Sequence, residues 1–201
     1  MALLQKSKDK RSALLKATLA LVNNGGIQSA SMAKVAKMAC VSPATIYLYF
    51  DSKQDLVNQL YLSVKSAFAE AAFAAYNKDE RVKQNFEKIW HAMACYKSSY
   101  TEEASFLSQC DNTPMIDEST RQEGLVHFKP LFDLWEQGKK EGIIKDVSPY
   151  LLYAYSIYPI AFLVNMQVRG NCSLNSAVIK QAFEAAWDSI GVVGGGVRDF
   201  K

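Results

Sequence analysis

His91 and His127 are the chain's only histidines, and neither has a serine, cysteine or carboxylate at a spacing that ties it into a catalytic triad. Each reads as a partly buried hydrogen-bonding residue. Cys40, Cys95, Cys110 and Cys172 are scattered, with no C-x-x-C pair. That pattern argues against a disulfide framework or a zinc site and suits reduced thiols in a cytoplasm. No catalytic residue, metal or cofactor is therefore expected. The chemistry that the sequence does offer is recognition. Residues 39–50 read ACVSPATIYLYF, with Lys53 just beyond. Small and polar side chains, two phenol hydroxyls and a nearby ammonium suit a groove whose edges are bases and whose walls are phosphates.

Such residues work only if helices hold them. Apolar periodicity is helical almost throughout, and five prolines and ten glycines interrupt it rarely. The first helix is expected from Lys8 to Asn23, stopping at Gly25-Gly26. Ser31 caps a short second helix in which Met32, Val35, Ala36 and Ala39 form a stripe. Ser42 caps a third, with Pro43 at its first position, ending near Phe50. Ser52 caps a long fourth helix through Leu56, Leu60 and Val64 to Tyr76. Five more are expected at Arg81–Ser98, Glu103–Gln109, Arg121–Lys140, Pro149–Arg169 and Leu174–Ile190, with Pro130 and Pro159 kinking two of them. The expectation is an all-α fold of about nine helices.

Two short helices across a three-residue turn make a helix-turn-helix, whose second helix lies in the DNA major groove. Laid out at about 100° per residue, the third helix places Ile46 and Phe50 inward. Ala44, Thr45 and Leu48 fall outward, and Tyr47 and Tyr49 lie on the flanks. The residues expected to touch DNA are Ser31, Lys34, Ser42, Pro43, Ala44, Thr45, Tyr47, Leu48, Tyr49 and Lys53. Charge agrees. The net +3 of the 201 residues divides into +5 over residues 1–58 and −2 over the remainder, a basic head suited to a polyanion.

The run SMAKVAKMACVSPATIYLYFDSKQDL closely resembles the N-terminal signature of the tetracycline-repressor (TetR) family of bacterial transcription regulators. Ala39, Val41, Ser42, Thr45, Tyr47, Phe50, Lys53 and Leu56 fall in register with T-x-x-x-I-A-x-x-A-G-V-S-x-x-T-x-Y-x-x-F-x-x-K-x-x-L. The family's usual turn glycine is replaced by Cys40. A side chain at positive φ costs about 1 kcal/mol. The substitution reads as a tolerated one, with a thiol switch as the alternative.

The resemblance implies a three-helix DNA-reading domain and a C-terminal helical domain for ligand binding and dimerisation. Residues 1–55 would form the first, 56–190 the second, and 191–201 a flexible tail. Family architecture makes the last two helices an intersubunit four-helix bundle, with Tyr155, Phe162, Val178, Ala182, Phe183, Ala186 and Trp187 at the interface. Trp90, Phe106, Phe128, Tyr158 and Phe162 are expected to line an effector cavity among the kinked helices.

The N-terminus MALLQKSKDKR has no extended apolar region before its charges, so no secretory leader is expected. The uncharged stretch between Asp146 and Arg169 contains Ser156, Pro159, Asn165 and Gln167 and reads as a buried or interfacial helix rather than a membrane span. The sequence thus points to a cytoplasmic, homodimeric regulator, most simply a repressor, that binds an inverted repeat in double-stranded DNA and answers a small-molecule effector. Its rivals are an effector-independent DNA-binding or chromosome-organising protein, and an all-α carrier or enzyme.

Overall fold

The computed structural model describes residues 2–192, with side chains from Lys6 onward. Eleven helices span the described residues. These are α1 (Ala2–Ser29), α2 (Met32–Met38), α3 (Pro43–Ile46), α4 (Lys53–Phe73), α5 (Val82–Ser99), α6 (Thr101–Asn112), α7 (Glu118–Val126), α8 (Lys129–Lys140), α9 (Pro149–Ser156), α10 (Tyr158–Val168) and α11 (Ser176–Ile190). An isolated bridge joins Ile144 to Gly191.

Two prolines account for the two helices beyond the expected nine. Pro130 and Pro159 do not kink long helices; each sits in the first turn of a new one, α8 and α10. There the missing N–H has no helical partner to lose and the fixed φ is already helical. The glycine pair does interrupt α1, with Gly25 at φ −155° and Gly26 at φ 69°, but helical hydrogen bonding resumes as far as Ser29. Of the expected tail, Gly191 and Val192 are tied down, Val192 donating to the Ile143 carbonyl at 3.0 Å. The rest lies outside the described residues.

By packing, the described residues fall into two units, residues 2–67 with 100–126 and residues 68–99 with 127–192. The first holds α1–α3, most of α4, and α6 and α7. Leu14, Val22, Val35, Ala36, Ile46, Leu56 and Val57 form its dry centre. Asn58 donates to the Asp117 carboxylate at 2.7 Å, Gln54 to the Met115 carbonyl at 2.9 Å, and Asn23 to the Glu102 carbonyl at 2.9 Å. These bonds fasten α6 and the segment leading into α7 to the helices of the head. Gly124 lets α7 close on α4, because a Cβ there would lie 2.7 Å from the Tyr61 ring. Lys65 is buried with its Nζ 5.5 Å from the centroid of that ring. Desolvation lowers the Lys65 pKa, and it pushes the buried Cys110 thiol up to about 12.

The second unit holds the end of α4 with α5 and α8–α11, around two aromatic groups. Phe68 contacts Tyr96 and Phe128, and Phe73 also meets Phe128. Separately, Phe86, Trp90 and His91 pack against Phe183 of α11. The break at Ile157 frees the Ser156 carbonyl, because the Ile160 N–H turns to Ile157 instead. Trp90 takes that carbonyl with its indole N–H at 2.8 Å.

Candidate nucleic-acid interface

The helix-turn-helix is built by caps. Ser31 Oγ accepts from the Lys34 N–H at 3.3 Å, starting α2, and its stripe is inward as expected, with Val35 and Ala36 fully buried. The turn that follows needs a left-handed residue, and Cys40 supplies it at φ 55°. This is the position where the signature has glycine, so the thiol carries the strain that the sequence implied. Ser42 then starts α3, accepting from the Thr45 N–H at 3.2 Å.

Beyond Ile46 the third helix tightens. Leu48 N–H bonds to the Thr45 carbonyl and Tyr49 N–H to the Ile46 carbonyl, both three residues back. A uniform angular layout therefore misplaces some side chains. Ile46 and Phe50 are buried as expected, and Ala44 and Leu48 are exposed, Leu48 by 82%. Thr45, expected outward, is half-buried, and its hydroxyl pairs with Ser42 Oγ at 2.7 Å. Tyr47, expected on a flank, is 58% exposed. Tyr49 is half-buried, and its hydroxyl pairs with Ser7 Oγ at 3.2 Å. Ser31, Lys34, Ser42 and Pro43 are exposed around them, and Lys53 is half-buried with Nζ 3.4 Å from Gln28 Oε1.

Two residues that sequence reasoning missed hold this surface in place. The Arg11 guanidinium lies over the Phe50 ring at 5.6 Å and donates to Gln59 Oε1 at 3.0 Å, joining α1, the end of the reading segment and α4. Ser7 anchors Tyr49. Ser7 and Arg11 both belong to the run KSKDKR, and their partners lie 42 and 48 residues away in sequence.

The other expected site residues scatter more. Phe106 lies in the core of the first unit, while Trp90 and Phe128 belong to the two different aromatic groups of the second. Tyr158 and Phe162 face outward, 41% and 60% exposed. The single wall expected of these five is therefore not formed within either unit. Tyr158 and Phe162 continue, across the break at Ile157, the exposed stripe that begins with Leu151 and Tyr155, while Ile160 and Val164 continue the buried stripe of Leu152 and Ser156. Among the expected interface residues, Tyr155 and Phe162 are exposed and Val178, Ala182 and Trp187 half-buried, but Phe183 and Ala186 are buried in their own subunit.

Sequence comparison decides what this head belongs to. Residues 14–60 match the family described as bacterial regulatory proteins, tetR family, and residues 81–191, more than half the chain, match the tetracyclin repressor-like C-terminal domain. The chain belongs to the TetR family. It is a helix-turn-helix, DNA-binding transcription regulator and not an enzyme. An HTH-type transcriptional regulator of Haemophilus influenzae is 26% identical over 199 residues, covering 92% of this chain and 98% of that one. The HTH-type transcriptional repressor KstR of Rhodococcus jostii shares 44% identity over 50 residues, a quarter of each chain. The crystal structure of a TetR family transcription regulator from Marinobacter aquaeolei superposes with a TM-score of 0.88 at 26% identity, covering 93% of this chain and 98% of that one. The all-α TetR fold, helix-turn-helix first and helical domain after, is thus common to both.

Proposed function

We propose that this TetR-family regulator is a cytoplasmic homodimeric repressor that binds an inverted-repeat operator and is released from it by a small-molecule effector. The observation that carries the reading is the capped α2–α3 head, which presents Ala44, Tyr47 and Leu48 to solvent above a rigid core. Ser31, Lys34, Ser42 and Lys53 lie beside that face as phosphate and positioning contacts. DNA reading is assigned to residues 1–55, and effector binding and dimerisation to 56–190.

Dimerisation is supported by the outward face of α9 and α10. Leu151, Tyr155, Tyr158 and Phe162 are all exposed there in one stripe, the kind of apolar face that suits an interaction site. Val178, Ala182 and Trp187 of α11 complete the interface, while Phe183 and Ala186 brace α11 from behind. Effector binding is supported by Trp135 on α8, whose indole N–H is buried with no hydrogen-bond partner among the described residues. A buried donor of this kind asks for an acceptor, which a ligand oxygen or a held water would supply. Phe128, the cap residue at the start of the same helix, is buried as well.

The test is a gel-shift assay on duplexes flanking the regulator's own gene, repeated with a panel of small molecules. The reading expects a compound that both raises the melting temperature and lowers operator affinity, because coupling between two sites is reciprocal. Operator binding that no stabilising compound weakens would replace it with the effector-independent regulator.

A further inference from the structure

We propose that the protein selects its operator chiefly through thymine methyl groups, received by Leu48 and Ala44, rather than through hydrogen bonds to base edges. This rests on the DNA-reading assignment above and names what that face reads.

The first observation is compositional. From Ala39 to Phe50 there is no Arg, Lys, Asn, Gln, Asp or Glu. Arg and Lys are the side chains that grip guanine, Asn and Gln those that grip adenine, and acids those that accept from cytosine. The reading segment has none of them. The second observation concerns the hydroxyls. Thr45 Oγ1 and Ser42 Oγ are 2.7 Å apart and Ser42 Oγ also caps the Thr45 N–H, so this pair is committed to holding the helix start. Tyr49 OH is paired with Ser7. The third observation is exposure: Leu48 stands 82% exposed at the tip of the segment, with Ala44 open to solvent one turn before it. In the major groove the one apolar group on a base edge is the C5-methyl of thymine. A leucine driven into the groove gains by covering that methyl and loses by covering a polar edge.

Lys34 and Lys37 of α2 are exposed beside this face. As point charges on long stems they serve phosphates, and they are the residues that would carry a rival guanine-based code.

The experiment begins with selection of bound duplexes from a random pool by the full-length protein. The enriched site is then resynthesised with deoxyuridine in place of thymidine, one position at a time, which removes only the methyl. At one or more thymines per half-site the loss should be about fourfold, the value of one buried methyl-sized group. In Leu48→Ala, an exposed change that leaves the core intact, that penalty should vanish. A 5-methylcytosine·guanine pair at the same position should bind better than cytosine·guanine. A site indifferent to deoxyuridine, or a penalty unchanged in Leu48→Ala, overturns the inference while leaving the DNA-regulator reading standing. A pool that yields no enriched sequence overturns both.

Discussion

Cys40 has a backbone that its side chain does not favour. At φ 55° an L-residue costs about 1 kcal/mol more than glycine, and the thiol is exposed, so no burial offsets that cost. Cys40→Gly should therefore raise stability by up to about 1 kcal/mol, read from denaturant midpoints, with operator affinity unchanged. A destabilised glycine variant would mean that the thiol makes a stabilising contact. The four thiols should also divide by reactivity. Cys40, Cys95 and Cys172 are exposed, whereas Cys110 is buried and its thiol is raised to about 12. Native labelling with iodoacetamide should modify three cysteines quickly, and Cys110 only after unfolding. Since ionisation of Cys110 favours the unfolded chain, the stability it contributes is intact below its ordinary value of 9.0 and falls as pH rises toward 12. The orphan indole of Trp135 gives a third residue-scale prediction. Trp135→Phe removes the unpaired donor and keeps most of the ring. The variant should still melt within a few degrees of the parent but respond more weakly to effector; a full response would show that the effector lies elsewhere.

At the scale of elements, the helices that read most easily were those whose signals are local. Ser31, Ser42 and Ser52 each cap the helix that they precede, and the Met32–Ala39 stripe turns inward, because both signals act within one turn of chain. The misreadings share a cause. Pro130 and Pro159 were expected to bend helices and instead begin them, since a break just before each lets its ring sit in a first turn. Thr45 and Tyr47 depart from the uniform layout for a similar reason, since the chain from Ser42 to Tyr49 is wound more tightly than an α-helix. Attachment of α6 to the head by Asn23 and of the pre-α7 segment by Gln54 and Asn58 could not be read at all, because these pairs lie some 60 to 80 residues apart in sequence. The dimer test falls on the exposed stripe shared by α9 and α10. Tyr155→Arg with Phe162→Arg changes only exposed positions, so the subunit should fold, sediment as a monomer and lose tight operator binding. A dimer that survives both changes would place the interface on another face.

At the scale of the whole molecule, charge and connectivity divide the labour. The +5 of residues 1–58 lies on the part that carries the reading face, and α4 supplies residues to both packing units. In the bound dimer the two reading segments should lie about 34–36 Å apart, one turn of DNA. The most direct test is equilibrium binding of the purified protein to its selected duplex by fluorescence anisotropy, across a series of salt concentrations and against a scrambled duplex. The account predicts one dimer per inverted repeat, a logarithm of affinity that falls linearly with the logarithm of salt, and binding to the selected site at least about a thousandfold tighter than to the scrambled one. Equal affinity for the two duplexes at every salt concentration would contradict it.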